Sequence, residues 1–399
     1  MSDAPIKQPD GMALAKSMEL LHRLVTDRGI LASASSVSNY SRVWARDAVM
    51  CGLAGMLAGD EKIIAGLRAS LETLATYQGP AGEIPSNVQF DEADATAKVS
   101  YGGLCGRVDA VLWFIIGVCQ YVHWTNDMAF FRQMQPALQK CCSILDTWEF
   151  NRRGLIYVPQ GGDWADEYIL HGYVLYDQLL RVWALRGFAA LANAREAAKQ
   201  ARHLAELIQV NYWPRRENET SKWVYHPQAF RAYLARQHKL QFGLASLTPG
   251  GYALQFDALA NALSVLLHIP DAAQQASVLD HGQEILRSLP VKMVPAFWPP
   301  IQPGEPGWAE LQVNFKDQFR NAPYQYHNGG VWPMVNGWWG MALCAANRRP
   351  EAQELFSALV DFNRQDKVGT GWGFYEYAHS RTGELGGTRE MGWSAAATV

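Results

Sequence analysis

The sequence is short of charge, with 18% Asp, Glu, Lys and Arg, and its net charge of −3 leaves no basic footprint for nucleic acid. Its ten histidines and six cysteines include no C-x-x-C pair, no H-E-x-x-H and no other metal-ligand spacing, so neither a metal nor another cofactor is expected. Cys51, Cys105, Cys119, Cys141, Cys142 and Cys344 read as buried free thiols. No apolar run approaches the roughly 18 residues that span a bilayer, and "VLWFIIGVCQYV" reads as a buried helix. The first residues carry neither a basic segment nor a long apolar one, so a soluble cytoplasmic chain is expected, with no membrane or nucleic-acid partner. Sustained two-residue alternation is almost missing as well, which argues against a sheet-built fold.

What the chain has is helical periodicity, aromatics and long loops. Helices are predicted near residues 10–27, 45–58, 60–77, 107–123, 127–149, 173–192, 196–210, 253–268, 272–287, 329–346, 350–363 and 391–399. "AGD", "HWTND", "IPDA" and "NRRP" read as tight turns in which Asp or Asn caps the next helix. Between them run long connections rich in Gly, Pro, Trp and Tyr, at 28–44, 78–106, 150–172, 211–252, 288–328 and 364–390. Six antiparallel hairpins in this rhythm close into an all-α (α/α)6 barrel, read as one domain over 1–399. The even-numbered, more apolar helices form the inner layer, and the long loops gather at one rim. An open helical solenoid that binds a peptide or protein partner has the same local pattern.

Each long loop ends in polar and aromatic residues: "SRVWARD", "GGLCGRVD", "GGDWADEYILHGY", "GGYALQFD", "YQYHNGGVWP" and "GWGFYEYAHSRTGELGGTREMGWS". Gathered at one rim they line a cup that suits a neutral polyol, with rings stacking on aromatics and charged groups taking hydroxyls. Trp44, Arg46, Asp47, Asp109, Asp163, Trp164, Glu167, His327, Asn328, Trp332, Trp372 and His379 are the candidate substrate contacts. Each has a plainer alternative. The tryptophans suit a core equally well, Arg46 with Asp47 suits a helix-start ion pair, and Asn328 suits a cap.

"YQYHNGGVWP", "WARDA", "DWADE" and "GFYEYAHSRTGELGG" followed by "GWSAA" resemble the (α/α)6 glycoside hydrolases. The resemblance, from about residue 40 onward, is to the catalytic domain of bacterial glycogen-debranching proteins and to the neutral/alkaline invertases. It implies a general acid at Asp166 of "DWADE" and a general base at Glu376 of "GFYEYAHSRTG". Neutral invertases carry basic residues where Glu167 stands here. The implied reaction is hydrolysis of a small α-glucoside such as sucrose, with an amylo-α-1,6-glucosidase as the alternative. An epimerase or lyase on the same barrel would want a histidine pair, for which only His327 and His379 stand in suitable loops.

Glycoside hydrolysis needs one carboxyl that keeps a proton and one that has lost it. Trp164 is expected to desolvate Asp166, and Asp163 and Glu167 to repel its charge, so that the proton stays. Tyr375, Tyr377 and His379 are the polar neighbours expected to keep Glu376 ionised. A separation of about 6.5–9.5 Å between the two carboxyls, and therefore inversion, is expected of this architecture.

Overall fold

A computed structural model describes residues 11–35, 39–90, 96–236, 240–369 and 371–399. The helices are α1 (Gly11–Leu24), α2 (Ala45–Ala58), α3 (Glu61–Thr76), α4 (Val108–Thr125), α5 (Met128–Thr147), α6 (Leu175–Ala192) and α7 (Arg195–Tyr212). They continue with α8 (Pro227–Arg236), α9 (Ala258–Leu266), α10 (Ala272–Ser288), α11 (Trp308–Leu311), α12 (Pro333–Ala345), α13 (Arg349–Arg364) and α14 (Gly392–Ala396). All twelve expected helices are present, and α8 and α11 lie inside segments read as loops. The predicted helix 253–268 begins too early, because Gly251–Asp257 is a strand and α9 starts only at Ala258.

The inner helices close a circuit: α2 packs on α4, α4 on α6, α6 on α9, α9 on α12, α12 on α14, and α14 back on α2. That closure removes the open-solenoid alternative. Outside them α3, α5, α7, α10 and α13 each pack on the inner helix that precedes them, and α1 packs on α14, so the sixth pair joins distant parts of the chain. The layering follows composition. The flanks of α4 are buried all round, from Val108 to Val122, and among the described helices it alone is long and apolar enough to cross a membrane. The ring supplies that burial instead. By contrast α7 buries only one stripe, which includes Leu204, Leu207 and Ile208.

Asp60 accepts from the Ile63 amide, Asp127 from Phe130, and Asp271 forms a capping box with Gln274. Three of the four tight turns therefore start their helices as predicted. The fourth does not: α13 has Arg348 at its cap without a side-chain bond, and relies on Pro350 in its first turn. Among the cysteines, Cys51, Cys119 and Cys141 are buried, but Cys105 and Cys142 are half-buried and Cys344 is exposed.

The rim is stiffened by short strands that feed the inner helices. Val43–Trp44 pairs with Asn87–Phe90, which pairs with Ala97–Ser100. Tyr173–Val174, Leu244–Thr248, Gly251–Asp257 and Phe297–Trp298 form a four-stranded antiparallel sheet in that order. These strands aim α2, α6 and α9 and fix the loops that precede them.

Candidate active site

Four inner helices present a carboxyl at their N-termini: Asp47 on α2, Asp109 on α4, Asp177 on α6, and Asp257 as the cap of α9. All four are buried, and the positive end of each helix dipole favours an anion there. Asp163, from the acidic loop, is buried with them. Arg46 is set among them, 2.7 Å from Asp109 and 3.9 Å from Asp47, under the ring of Trp393, and Arg107 acts on Asp163. Burial works against the charge of Arg46, but Asp109 and Asp47 outweigh it and raise its pKa. These two guanidiniums do not neutralise five carboxyls. Burial, with Asp109 and Asp257 close by, pushes Asp163 up to about 8, and burial pushes Asp257 to about 7 and Asp47 to about 6. Asp177 lies well above the carboxylate range for the same reasons.

This corrects the expectation for "GGDWADE". The carboxyl on which burial and like charge hold a proton is Asp163. The Asp163 Oδ1 also accepts from the Ala165 amide at 2.9 Å, turning the loop so that Trp164 faces inward. Trp164 stacks on Phe297, with centroids 6.0 Å apart, and meets His327 and Trp332 edge-on at 5.2 and 5.5 Å. Asp166 then points outward with a third of its side chain exposed, in close ion contact with Arg107, whose guanidinium also donates to the Gly161 carbonyl. Glu167 is held from the other side. Its Oε1 accepts from Arg320 at 2.9 Å and from the Lys316 amide at 3.4 Å, while burial raises its pKa against the pull of Arg320.

Glu376 comes from the last long loop, just before the pair Tyr377–Ala378 and Leu385–Gly386. Its carboxyl is buried, with Oε1 accepting from the Tyr40 hydroxyl at 2.8 Å and Oε2 from the Thr388 amide at 3.1 Å. Burial raises its pKa, and Arg320, Tyr40 and Thr388 act in the opposite direction. The neighbours that favour its charge are thus these three, rather than Tyr375 and His379. Gly387 makes the approach feasible: it has φ +72°, and a Cβ there would stand 2.1 Å from Glu376 Oε2. Asp166 and Glu376 act electrostatically on each other and on both Tyr40 and Tyr326. Two carboxyls from separate loops therefore face one set of phenols.

Several other candidate contacts have partners within the protein. Trp332 is buried, stacks on His327 with centroids 5.1 Å apart, and donates to the Tyr326 carbonyl. His327 is buried between Trp332 and Trp164; burial, then Arg320, Arg46 and Arg107, push its pKa far down, so it is neutral. The Asn328 amide bonds to both backbone groups of Ile301 and to the Asn321 carbonyl, which pins the loop. Trp372 stacks on Phe374 under the Arg364 guanidinium. His379 accepts from the Arg381 and Thr382 amides in its own turn. Trp44 is half-buried and donates to the Asn39 carbonyl. The groups that touch the candidate pair directly, Tyr40 and Arg107, together with Arg320 and Tyr326, were not singled out from sequence. Arg107 and Tyr326 lie inside quoted loop motifs, whereas nothing local marks Tyr40 or Arg320.

A family model described as "Alkaline and neutral invertase" matches residues 26–218 and 226–398. Among curated proteins, a probable alkaline/neutral invertase A, chloroplastic, of Arabidopsis thaliana is 23% identical over 81% of this chain and 58% of its own length. The neutral/alkaline invertase 1, mitochondrial, of Oryza sativa subsp. japonica is 22% identical over 89% and 62%. Cytosolic invertase 1 of the same rice is 21% identical over 86% and 67%. The chain thus spans about 60% of the length of the first two. Among solved structures, a mannosylglycerate hydrolase of Thermus thermophilus, in complex with Tris and D-glycerate, superposes with a TM-score of 0.63 at 14% identity, over 97% of this chain and 98% of that one. A bacterial glucoamylase complexed with acarbose gives 0.62 at 16% identity, over 97% and 54%. These two likenesses bear on the fold, and the fold is the six-hairpin barrel.

Proposed function

The chain belongs to the alkaline and neutral invertase family, and from that premise we propose that it is an inverting glycoside hydrolase acting on a small α-glucoside such as sucrose. The observation that carries the reading is that Glu376, buried and clasped by Tyr40 and Thr388, and the part-exposed Asp166 act electrostatically on each other and on Tyr40 and Tyr326. Glu376 is the base that takes a proton from water, and its burial makes it a stronger one. Asp166 is the acid that protonates the leaving oxygen. Arg107 has to yield for Asp166 to carry that proton, and the exposure of Asp166 leaves the room for it. Arg46 and Asp109, with Glu167 and Arg320, supply the charged lining for sugar hydroxyls. His327, neutral and enclosed by tryptophans, does not suit an epimerase acid/base pair.

The Arg107 contact favours a second assignment, with Asp166 as base and Glu376 as acid. Turnover of α-glucosyl fluoride separates the two, since fluoride leaves without a proton. Under the first assignment Asp166→Asn keeps substantial activity on the fluoride but loses at least about 100-fold on sucrose. Glu376→Gln loses both. The reversed pattern would exchange the roles, and near-wild-type turnover of sucrose by either variant would remove that residue from the chemistry. Product analysis on sucrose, isomaltose, maltose and glycogen assigns the linkage, and release of glucose from glycogen alone would favour the debranching alternative.

A further inference from the structure

A second cavity lies on the outer flank of the same rim, behind Arg107. It has a volume of about 510 Å³, and its walls include Glu83, Tyr101, Arg107, Trp148, Phe150 and Tyr157. That volume is of the size that holds a small ligand. Four aromatic rings line it; Trp148 and Tyr157 also pack against the core, while Tyr101 and Phe150 are exposed. Phe150 is 74% exposed and sits at φ +55°, a conformation seldom adopted by a bulky residue. Tyr101 is exposed, Trp148 and Tyr157 are half-buried, and the rings of Phe150 and Tyr157 meet edge to face at 6.2 Å. An exposed aromatic in a rare backbone conformation points to a surface kept for contact.

The charges decide what contact. Arg107 has its guanidinium engaged by Asp166 and the Gly161 carbonyl, so its charge is already matched. The Glu83 carboxylate accepts from the Ala81 amide and has no cationic partner among the described residues. The cleft therefore combines aromatic π faces with one unmatched carboxylate. A sugar would find few hydrogen-bond partners there, and a phosphate would meet Glu83. A weakly hydrated positive charge would find both the ring quadrupoles and the carboxylate.

We propose that this cleft binds a small organic cation of the quaternary-ammonium type. Titration calorimetry of the full chain with choline tests it, with 3,3-dimethyl-1-butanol as the uncharged isostere. Choline is expected to bind at one site with a Kd of about 1 mM or tighter, and the isostere at least about fivefold more weakly. Phe150→Ala and Glu83→Gln are each expected to weaken choline at least about fivefold, with thermal unfolding unchanged because Phe150 is exposed and Gln keeps an acceptor for the Ala81 amide. Glu376→Gln is expected to bind choline like the wild type, so this result is independent of the glycosidase reading. No saturable heat up to about 10 mM, equal binding of the isostere, or wild-type affinity in either cleft variant would overturn the proposal.

Discussion

Replacing Tyr40 by Phe removes one hydroxyl and leaves the ring in place. The lost bond is the 2.8 Å donation from the half-buried Tyr40 to Oε1 of the buried Glu376. A hydrogen bond to a charged acceptor contributes about 1.5–3 kcal/mol. This one favours the ionised carboxylate over the protonated one, so its loss raises the pKa of Glu376, by at most about 1–2 units at 1.36 kcal/mol each. Thr388 and Arg320 still hold the charge, which keeps the shift from growing further. Glu376 works as a base only when ionised, and the acid limb of kcat/KM should therefore move up by that amount. Below the limb the variant loses about tenfold per unit, and above it activity returns to within about an order of magnitude of wild type. The assay is kcat/KM on sucrose from pH 4 to 9 for both proteins. A uniform loss across that range with an unmoved limb would refute the reasoning, because it would mean that Tyr40 does not tune the base.

Asp257→Asn tests the buried carboxyl ring. The folded pKa of Asp257 is about 7 against an ordinary 3.8, so its contribution to stability is full below about pH 4 and is lost as pH rises through 7. That gap is worth at most about 4 kcal/mol. Asn keeps the cap on Ala260 but cannot ionise, so unfolding temperatures at pH 5 and 8.5 should differ less in the variant than in the wild type; an equal difference would mean that Asp257 does not titrate there. Gly387→Ala should displace Glu376, since the new Cβ meets its carboxyl, and lower kcat at least about tenfold with the chain still folded; unchanged kcat would show that the loop accommodates it. Trp332→Ala should cost about 3–5 kcal/mol in denaturant unfolding, as a buried ring does; a loss under 1 kcal/mol would return Trp332 to the pocket lining.

The helical layers were legible because inner and outer faces differ in composition: α4 is apolar on every side and α7 on one stripe only. Helix starts were legible where an Asp stands at the turn, as at Asp60, Asp127 and Asp271. The short strands escaped because two-residue pairings such as Val43–Trp44 with Asn87–Val88 are too brief to show a period. The hairpin of Leu244–Thr248 and Gly251–Asp257 carried a signal, the Pro249–Gly250 turn, inside a stretch read as a loop. The helix α8 likewise opens at Pro227 within that loop.

The candidate acid and base came from motif resemblance, and the structure adds what motifs do not encode. Which carboxyl of "GGDWADE" faces inward depends on the turn made by Asp163 and on the packing of Trp164 against Phe297, 133 residues further along. Tyr40 meets Glu376 across 336 positions, and no local pattern reports such a contact.

The first-formed product bears most directly on the proposed mechanism. Proton NMR of sucrose hydrolysis, followed from the first turnovers at a pH where mutarotation is slow, distinguishes the anomers as they are released. Water activated by Glu376 on the face opposite the leaving group gives β-glucose first, with the α anomer growing in later. Early α-glucose would contradict the account, since it requires an enzymic nucleophile on the face assigned here to water.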